Sequence, residues 1–382
     1  MKKLFSILLC LALILSMSVY AFASGEPTEE EAAASGTTVL KNAKLLDAYY
    51  NGQVLDVLVA DGVIAAIGKD LTGDTVIDLA GCTLMPGMID AHVHVAGSDY
   101  GIDLLTTWAQ HGITSVREEG MLSTSGEMDF KPLIDEANAD PTSAHLVSCG
   151  KYLDVAGGYG MGPTGNMGIV ITTAEEAAAE IEYKAELGYP QVKVGINSDE
   201  NRMTAEQFIA IIETAHAHDM EVAAHVNYAK HLEELVGYGI DEAGHTPSDE
   251  MSGALIDGMV ENAVAMNTSG AENYEDIKIA NLQAFYEAGG IITVGTDLMR
   301  NYDACMETLT AEMEVLCKAG LTVQEVIACA TRNNARTLEL HTGEIAVGFE
   351  ADFLAVEGEV DETFSALCAP AFIMSDGVVI VE

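Results

Sequence analysis

The sequence predicts an α/β protein: a (β/α)8 TIM barrel carrying a small β-sandwich domain built from both termini. Three observations lead there. Short apolar runs punctuated by Gly and Asp open and close the chain. Between them, eight apolar strand candidates alternate with helical periodicity. The polar residues of that middle region gather at the C-terminal ends of the strand candidates, which is where such barrels keep their chemistry.

In chain order, the first residues are "MKKLFSILLCLALILSMSVYAFASGEP". Two lysines, a long apolar run and Ala21-Phe22-Ala23 follow the order of a secretory signal peptide, so residues 1–23 are expected to be removed by cleavage after Ala23 and the protein secreted. A membrane anchor is the weaker reading, because the run is only about as long as a marginal span and ends in an A-x-A site. Cys10 lies mid-run without a lipobox. Residues 24–36, "SGEPTEEEAAASG", are small and acidic and read as a flexible linker. Residues 37–85 supply the N-terminal part of the sandwich, in "DVLVADGVIAAIG" and "TVIDLAGCTLMPG". Residues 86–342 form the barrel, and 343–382 the C-terminal part of the sandwich, in "GEIAVGFEADFLAVEG" and "AFIMSDGVVIVE".

The barrel strands are expected at "TLMPGMIDAHVHV", "GITSVREEG", "AHLVSCGKYL", "QVKVGIN", "EVAAHVN", "DEAGHT", "AVAMNTS" and "IITVGTDL". Three intervening helices carry a capping-box start: Thr173 with Glu176, Thr204 with Gln207, Thr322 with Glu325.

Composition narrows the partners. Lys+Arg 17 against Asp+Glu 60 gives a net charge of −43, which repels nucleic acid and, once the signal peptide is gone, anionic membrane. A small-molecule substrate remains, and the surface leaves room for a homo-oligomer. Six cysteines survive cleavage: Cys82, Cys149, Cys305, Cys317, Cys329 and Cys368. None forms a C-x-x-C pair, so a zinc-thiolate site is not expected and buried free thiols are.

The candidate site follows from strand geometry. In "PGMIDAHVHV", His92 and His94 lie two apart late in a strand, so both side chains face the barrel interior and can grip one cation. Lys193 falls in the fourth barrel strand, His225 in the fifth, His245 at the end of the sixth and Asp297 at the end of the eighth. His216 and His218 provide a contrast: they end a helical run, where residues two apart diverge by roughly 200° and cannot share a metal. His111, His145, His231 and His341 read as structural or surface histidines. Imidazole and carboxylate without thiolate suit zinc, and also manganese, iron or cobalt; zinc is expected from its frequency in such sites. A Lys193 ammonium beside two cations would be disfavoured, so the free amine should prevail and could capture carbon dioxide. The competing reading has Lys193 paired with Glu118 or Glu119.

These residues resemble the amidohydrolase superfamily, in particular its imidazolonepropionase-like and prolidase-like branch. The resemblance covers about residues 37–382 and rests on "LMPGMIDAHVHV", "GITSVREEG", "HTPSDE", "GGIITVGTDL" and the closing Ala-Thr-x-Asn-x-Ala and Gly-x-Ile-x-x-Gly-x-x-Ala-Asp segments. It implies two divalent metal ions: His92, His94 and Asp297 on the more buried one, His225 and His245 on the more exposed one, with N6-carboxylated Lys193 bridging them. It also implies a hydroxide nucleophile between the metals, with Asp297 as the catalytic general acid/base. The expected activity is cleavage of a C–N bond in a dipeptide or N-acyl amino acid.

Two departures fall where substrate would touch. Asn227 stands where many relatives have a second histidine, and Tyr159 where they often have one. Tyr228, Arg300, Tyr159 and Arg117 are the candidate substrate contacts. Two alternatives compete: a mononuclear cyclic-amide hydrolase or deaminase, disfavoured because no glutamate sits beside His225, and a non-catalytic binding relative, disfavoured because all six ligand positions are filled.

Overall fold

The computed structural model describes residues 36–95, 101–120, 130–159, 161, 168–269, 275–299 and 304–382. The expected signal peptide, residues 24–35 of the linker and Arg300 lie outside the described residues. Gly36–Glu382 is one compact unit.

Five strands precede the histidine pair: β1 (Thr38–Leu46), β2 (Asn51–Ala60), β3 (Val63–Gly68), β4 (Thr75–Asp78) and β5 (Cys82–Pro86). The central region holds β6 (Met88–Val93), β7 (Ile113–Glu118), β8 (His145–Ser148), β9 (Tyr152–Asp154), β10 (Gly168–Val170), β11 (Gln191–Ile196), β12 (Glu221–Val226), β13 (Glu242–Ala243), β14 (Ala265–Asn267) and β15 (Ile291–Thr293). The chain closes with β16 (Phe353–Glu357), β17 (Phe372–Ser375) and β18 (Val378–Val381).

The two ends of the chain pair, as their shared texture predicts. β5 runs antiparallel to β16, with Pro86 opposite Phe353 and Cys82 opposite Glu357, inside one sheet ordered β18-β17-β16-β5-β1-β2-β3, with β4 on β1. Leu40, Leu45, Val57, Ile64, Phe353 and Phe372 bury one face of it. β1 supplies Leu40, Ala43 and Leu45 to that face, with its register shifting between Leu40 and Ala43.

The central strands are parallel, in two runs: β10-β9-β11-β12-β13-β14-β15 and β6-β7-β8. Buried on both faces, β6, β7 and β11 have no exposed residue, as expected of parallel strands covered by helices. β6 also bonds the segment after β15: Ala91 N–H donates to Val294 O (3.0 Å), Asp297 N–H to His92 O (2.7 Å) and His94 N–H to Leu298 O (3.0 Å). Those bonds bring the histidine pair beside Asp297.

The helices between the strands bury apolar stripes. In Ala205–Ala217, Phe208, Ile211, Ile212 and Ala215 face inward, and Thr204 and Gln207 close a full capping box. Thr322 and Glu325 do the same for Val323–Ala328. At Thr173 only half the box forms: its hydroxyl accepts from Glu176 N–H, but the Glu176 carboxylate bonds the backbone of Thr172 (3.0 Å). Truncating Phe208 to Ala would cost roughly 3–5 kcal/mol and loosen that helix first.

"AHLVSCGKYL", read from sequence as one strand, is two. The chain breaks at Gly150, whose φ of +63° suits glycine. Buried Lys184 staples the break by donating to the carbonyls of Cys149 (2.9 Å) and Lys151 (2.7 Å). The Ala-Thr-x-Asn-x-Ala segment includes a π-helical turn, Cys329–Asn333, followed by Asn334. The Asn334 amide donates to Ile89 O (2.6 Å) and Val294 O (2.8 Å), and its oxygen accepts from Val294 N–H (2.9 Å). One side chain thus clamps β6 to the chain leading to Asp297.

The six cysteines among the described residues are free. Among the described residues, no helix is long and apolar enough to cross a membrane.

Candidate metal centre

One pocket is lined by His92, His94, Glu119, Gly120, Tyr152, Tyr159, Lys193, His225, His245, Asp297 and Met299. The six residues that sequence singled out as ligands are all there. They arrive from β6 and one residue beyond it, from β11 and β12, from two residues beyond β13 and from four beyond β15.

Each imidazole is held from behind. His92 Nδ1 lies 3.0 Å from Gly244 O, His94 Nδ1 2.6 Å from Gly120 O and His245 Nδ1 2.6 Å from Ser269 Oγ. His225 Nε2 lies 3.1 Å from the Asn227 amide nitrogen, which itself donates to Asn197 Oδ1 (3.1 Å). The opposite ring nitrogens turn inward. His94 Nε2 is 3.0 Å and His92 Nε2 3.7 Å from Asp297 Oδ1, and ligand atoms of these three residues all lie within 4.8 Å of one another. His225 Nδ1 and His245 Nε2 face each other at 2.7 Å. A three-residue group that could hold a cation therefore adjoins the His225–His245 pair, and each imidazole is oriented by a second partner, as is usual for metal-ligating histidines.

Burial, and then the nearby Lys193 charge, hold His92 and His225 well below the usual imidazole range; burial and then His225 do so for His245. Neutral imidazole is the ligating form. Burial opposes charge on Asp297 too, but the His94 hydrogen bond and the surrounding positive groups keep its carboxyl below the ordinary value. Asp297 has φ +57°, uncommon for a non-glycine residue and a conformation that clusters at functional sites. The backbone also approaches closely here: a Cβ on Gly295 would lie 2.5 Å from His92 Cβ, and one on Gly244 2.7 Å from Lys193 Nζ.

Lys193 is buried with its Nζ in direct contact with Glu119 Oε2. Burial, then the Arg117 charge, bring its pKa down to about 7. Glu119 Oε2 meets Nζ directly, and a Cβ added at Gly244 would crowd it at 2.7 Å.

Of the candidate substrate contacts, Tyr159 lies in the pocket wall, stacked on His225 with ring centroids 3.5 Å apart and planes at 10°. Tyr228 starts the helix Ala229–Tyr238, outside the pocket wall, its ring 5.9 Å from that of His231. Arg117 is a correction. It is 1% exposed, and its guanidinium is taken up by Glu242 (2.6 and 2.8 Å), Glu119 (2.6 Å), Gln191 (3.2 Å) and Ala91 O (2.7 Å). In a strand buried on both faces, an inward arginine goes to interior carboxylates rather than to the mouth.

His216 pairs with Asp241 (2.9 Å) at the end of its helix, away from the pocket. His145 begins β8, at the end of the strand opposite the pocket. Sequence reasoning treated Glu119 only as a partner for Lys193 and missed Ser269 and Tyr152. Glu119 directly follows β7, so the rule that selected the histidines would also have selected it.

A parallel α/β scaffold with imidazoles and a carboxylate converging at the C-terminal ends of its strands is the architecture of metal-dependent hydrolases acting on carbon–nitrogen bonds. The profile of the Amidohydrolase family matches residues 83–381, and the chain belongs to that family. It is 26% identical to an enamidase of Eubacterium barkeri over 381 residues, covering 90% of this chain and 94% of that one. Its fold is similar to that of a putative prolidase from Bifidobacterium longum (TM-score 0.77, 22% identity, 91% and 95% coverage). It is also similar to that of a Xaa-Pro dipeptidase with methionine bound in its active site (TM-score 0.76, 20% identity, 91% and 100% coverage).

Proposed function

We propose that this chain is an exported binuclear hydrolase that cleaves the C–N bond of a small amide, a dipeptide or an N-acyl amino acid, at the mouth of a (β/α)8 barrel capped by a terminal β-sandwich. The observation that carries this reading is the convergence of four imidazoles and Asp297 in one pocket, as two adjoining sets of inward ligand atoms. His92, His94 and Asp297 would hold one divalent cation, and His225 with His245 the other. The donor set, nitrogen and oxygen without thiolate, suits zinc, the commonest ion in such sites.

Bound cations supply an activated water near neutral pH and polarise the scissile carbonyl. The chain's own residues do the rest. Asp297, 3.0 Å from His94 Nε2 and 3.7 Å from His92 Nε2, accepts the proton of the attacking water and returns it to the departing nitrogen. Gly244 O, Gly120 O and Ser269 Oγ fix the ring orientations, so the ligands need not reorganise during reaction. Tyr159 narrows the entrance over His225 and keeps bulk water off that side.

The test is hydrolysis of a panel of dipeptides, N-acyl amino acids and cyclic amides by the protein lacking residues 1–23 and loaded with zinc. Turnover of linear amides with two metal equivalents is the expected result. Turnover of cyclic amides alone with one equivalent would replace this reading with the mononuclear one.

A further inference from the structure

We propose that the cavity between the start of β15 and the turn after β1 is a second binding site, for a free α-amino acid with an apolar side chain, whose carboxylate Arg332 takes. The site is separate from the metal pocket and does not rest on the two-metal reading above. The cavity measures about 470 Å3, within the range of small-molecule sites. Its wall combines Ala48 from the turn after β1, Ile292 from the start of β15, and residues between Gln324 and Asn333. Asp297 lies beyond the opposite end of β15.

The wall is built before any ligand arrives. The Gln324 amide donates to Asp47 O (2.8 Å) and Tyr50 O (3.3 Å), which ties the helix Val323–Ala328 to the turn after β1. The Asn333 amide donates to Ile292 O (3.0 Å), which ties the π-helical turn to β15. Such π turns occur frequently at functional sites.

Arg332 stands on that turn, half-buried. Among the described residues, Arg117, Arg202 and Arg336 are each paired with a carboxylate, and Arg332 is not. Its guanidinium makes only two long bonds, from Nε (3.3 Å) and Nη2 (3.2 Å), to the uncharged Asn333 Oδ1. In a chain with Asp+Glu 60 against Lys+Arg 17, an arginine without an acidic partner is left open to a carboxylate from outside. The planar guanidinium fork suits that group.

Glu325, in the same wall, decides what else the ligand carries. Its Oε2 accepts from Thr322 N–H (2.8 Å) and Oγ1 (2.6 Å), and its Oε1 from the Tyr286 hydroxyl. These bonds hold its carboxyl below the usual range, so it is charged at neutral pH. Oε1 keeps a lone pair for a further donor. A purely anionic ligand meets repulsion there, whereas a ligand with an ammonium group finds a partner. Ile292 and Ala328 offer apolar surface to its side chain.

The experiment is calorimetric titration of metal-free protein with L-leucine, and with acetate, ethylammonium and inorganic phosphate, each of which carries one sign of charge. Removing metal with a chelator leaves no cation in the metal pocket to draw a carboxylate. L-leucine should bind at one equivalent, at least about 10-fold more tightly than each of the other three. Arg332→Gln, and Ala48→Phe, which narrows the cavity and leaves its charges in place, should each weaken L-leucine binding by at least about 10-fold, and Arg332→Lys should recover part of the loss. Both variants should take up as much zinc as wild type, which separates a lost site from a lost fold. Unchanged L-leucine affinity in either variant overturns the proposal, as does phosphate binding more tightly than L-leucine, or no binding of L-leucine up to about 10 mM. If Arg332→Gln does not fold, Ala48→Phe still decides.

Discussion

Replacing Arg117 with Met tests whether this residue is a substrate contact or a buried clasp. The guanidinium meets two carboxylates, Glu242 and Glu119, each 1% exposed, and also bonds a carbonyl of β6 and Gln191 of β11. Met fills similar volume but leaves Glu242 charged, buried and short of its main partner, since only Thr293 Oγ1 remains, at 3.3 Å. Breaking such a pair from one side costs roughly 3–5 kcal/mol. For a body of this size that corresponds to a Tm lower by about 4–7 °C. Adding Glu242→Leu removes the stranded charge, and because replacing both partners of a buried pair is often close to neutral, at least half of the lost Tm should return. Differential scanning calorimetry of wild type, Arg117→Met and the double variant gives the answer. An Arg117→Met protein with unchanged Tm but a raised KM for carboxylate-bearing substrates would refute the clasp and restore the substrate contact.

Three further outcomes follow. Asp297→Asn should abolish amide turnover, by at least about 100-fold, while the four histidines still hold metal; undiminished hydrolysis would exclude the acid/base role. Asn227→Ala removes the partner behind His225 and should weaken the second metal equivalent by about 10–100-fold in a chelator competition, leaving the first unchanged. Asp352 offers a pH test: burial raises its carboxyl from 3.8 to about 7. A folded pKa above the unfolded one gives stability that is fully present below pH 3.8 and is lost as pH rises through 7. Asn in that place can still accept from Asp376 N–H, so Asp352→Asn should flatten the decline between about pH 4 and 7, by at most about 4 kcal/mol. Equal declines in the two proteins would exclude Asp352 as its source.

The candidate metal-binding face was legible because strand periodicity puts residues two apart on one side: His92 and His94 both line the pocket, while His216, at a helix end, pairs with Asp241 instead. The union of the chain ends was legible from matching alternation, which the β5–β16 pairing bears out. Strand ends were less so, because β13 and β15 shrink to two and three residues, and His245 and Asp297 are held by hydrogen bonds from outside their strands. The break at Gly150 was hidden because Lys184, which bridges it, lies in a helix far along the chain. Arg117 was misread for a related reason: its partner Glu242 is remote in sequence, and nothing local distinguishes an inward arginine from one at the rim.

The Asn334 clamp bears on the order in which the molecule can mature. His92 leaves the ribosome long before Asp297, and the amide that fastens their two segments together is made later still. A nascent fragment ending before Asn334 has the backbone bonds that join the two segments but lacks the side chain that clamps them. The last fastening of the histidine and aspartate segments is therefore made late in synthesis, and a chain shortened before Asn334 would be expected to hold those segments together less firmly than the whole chain.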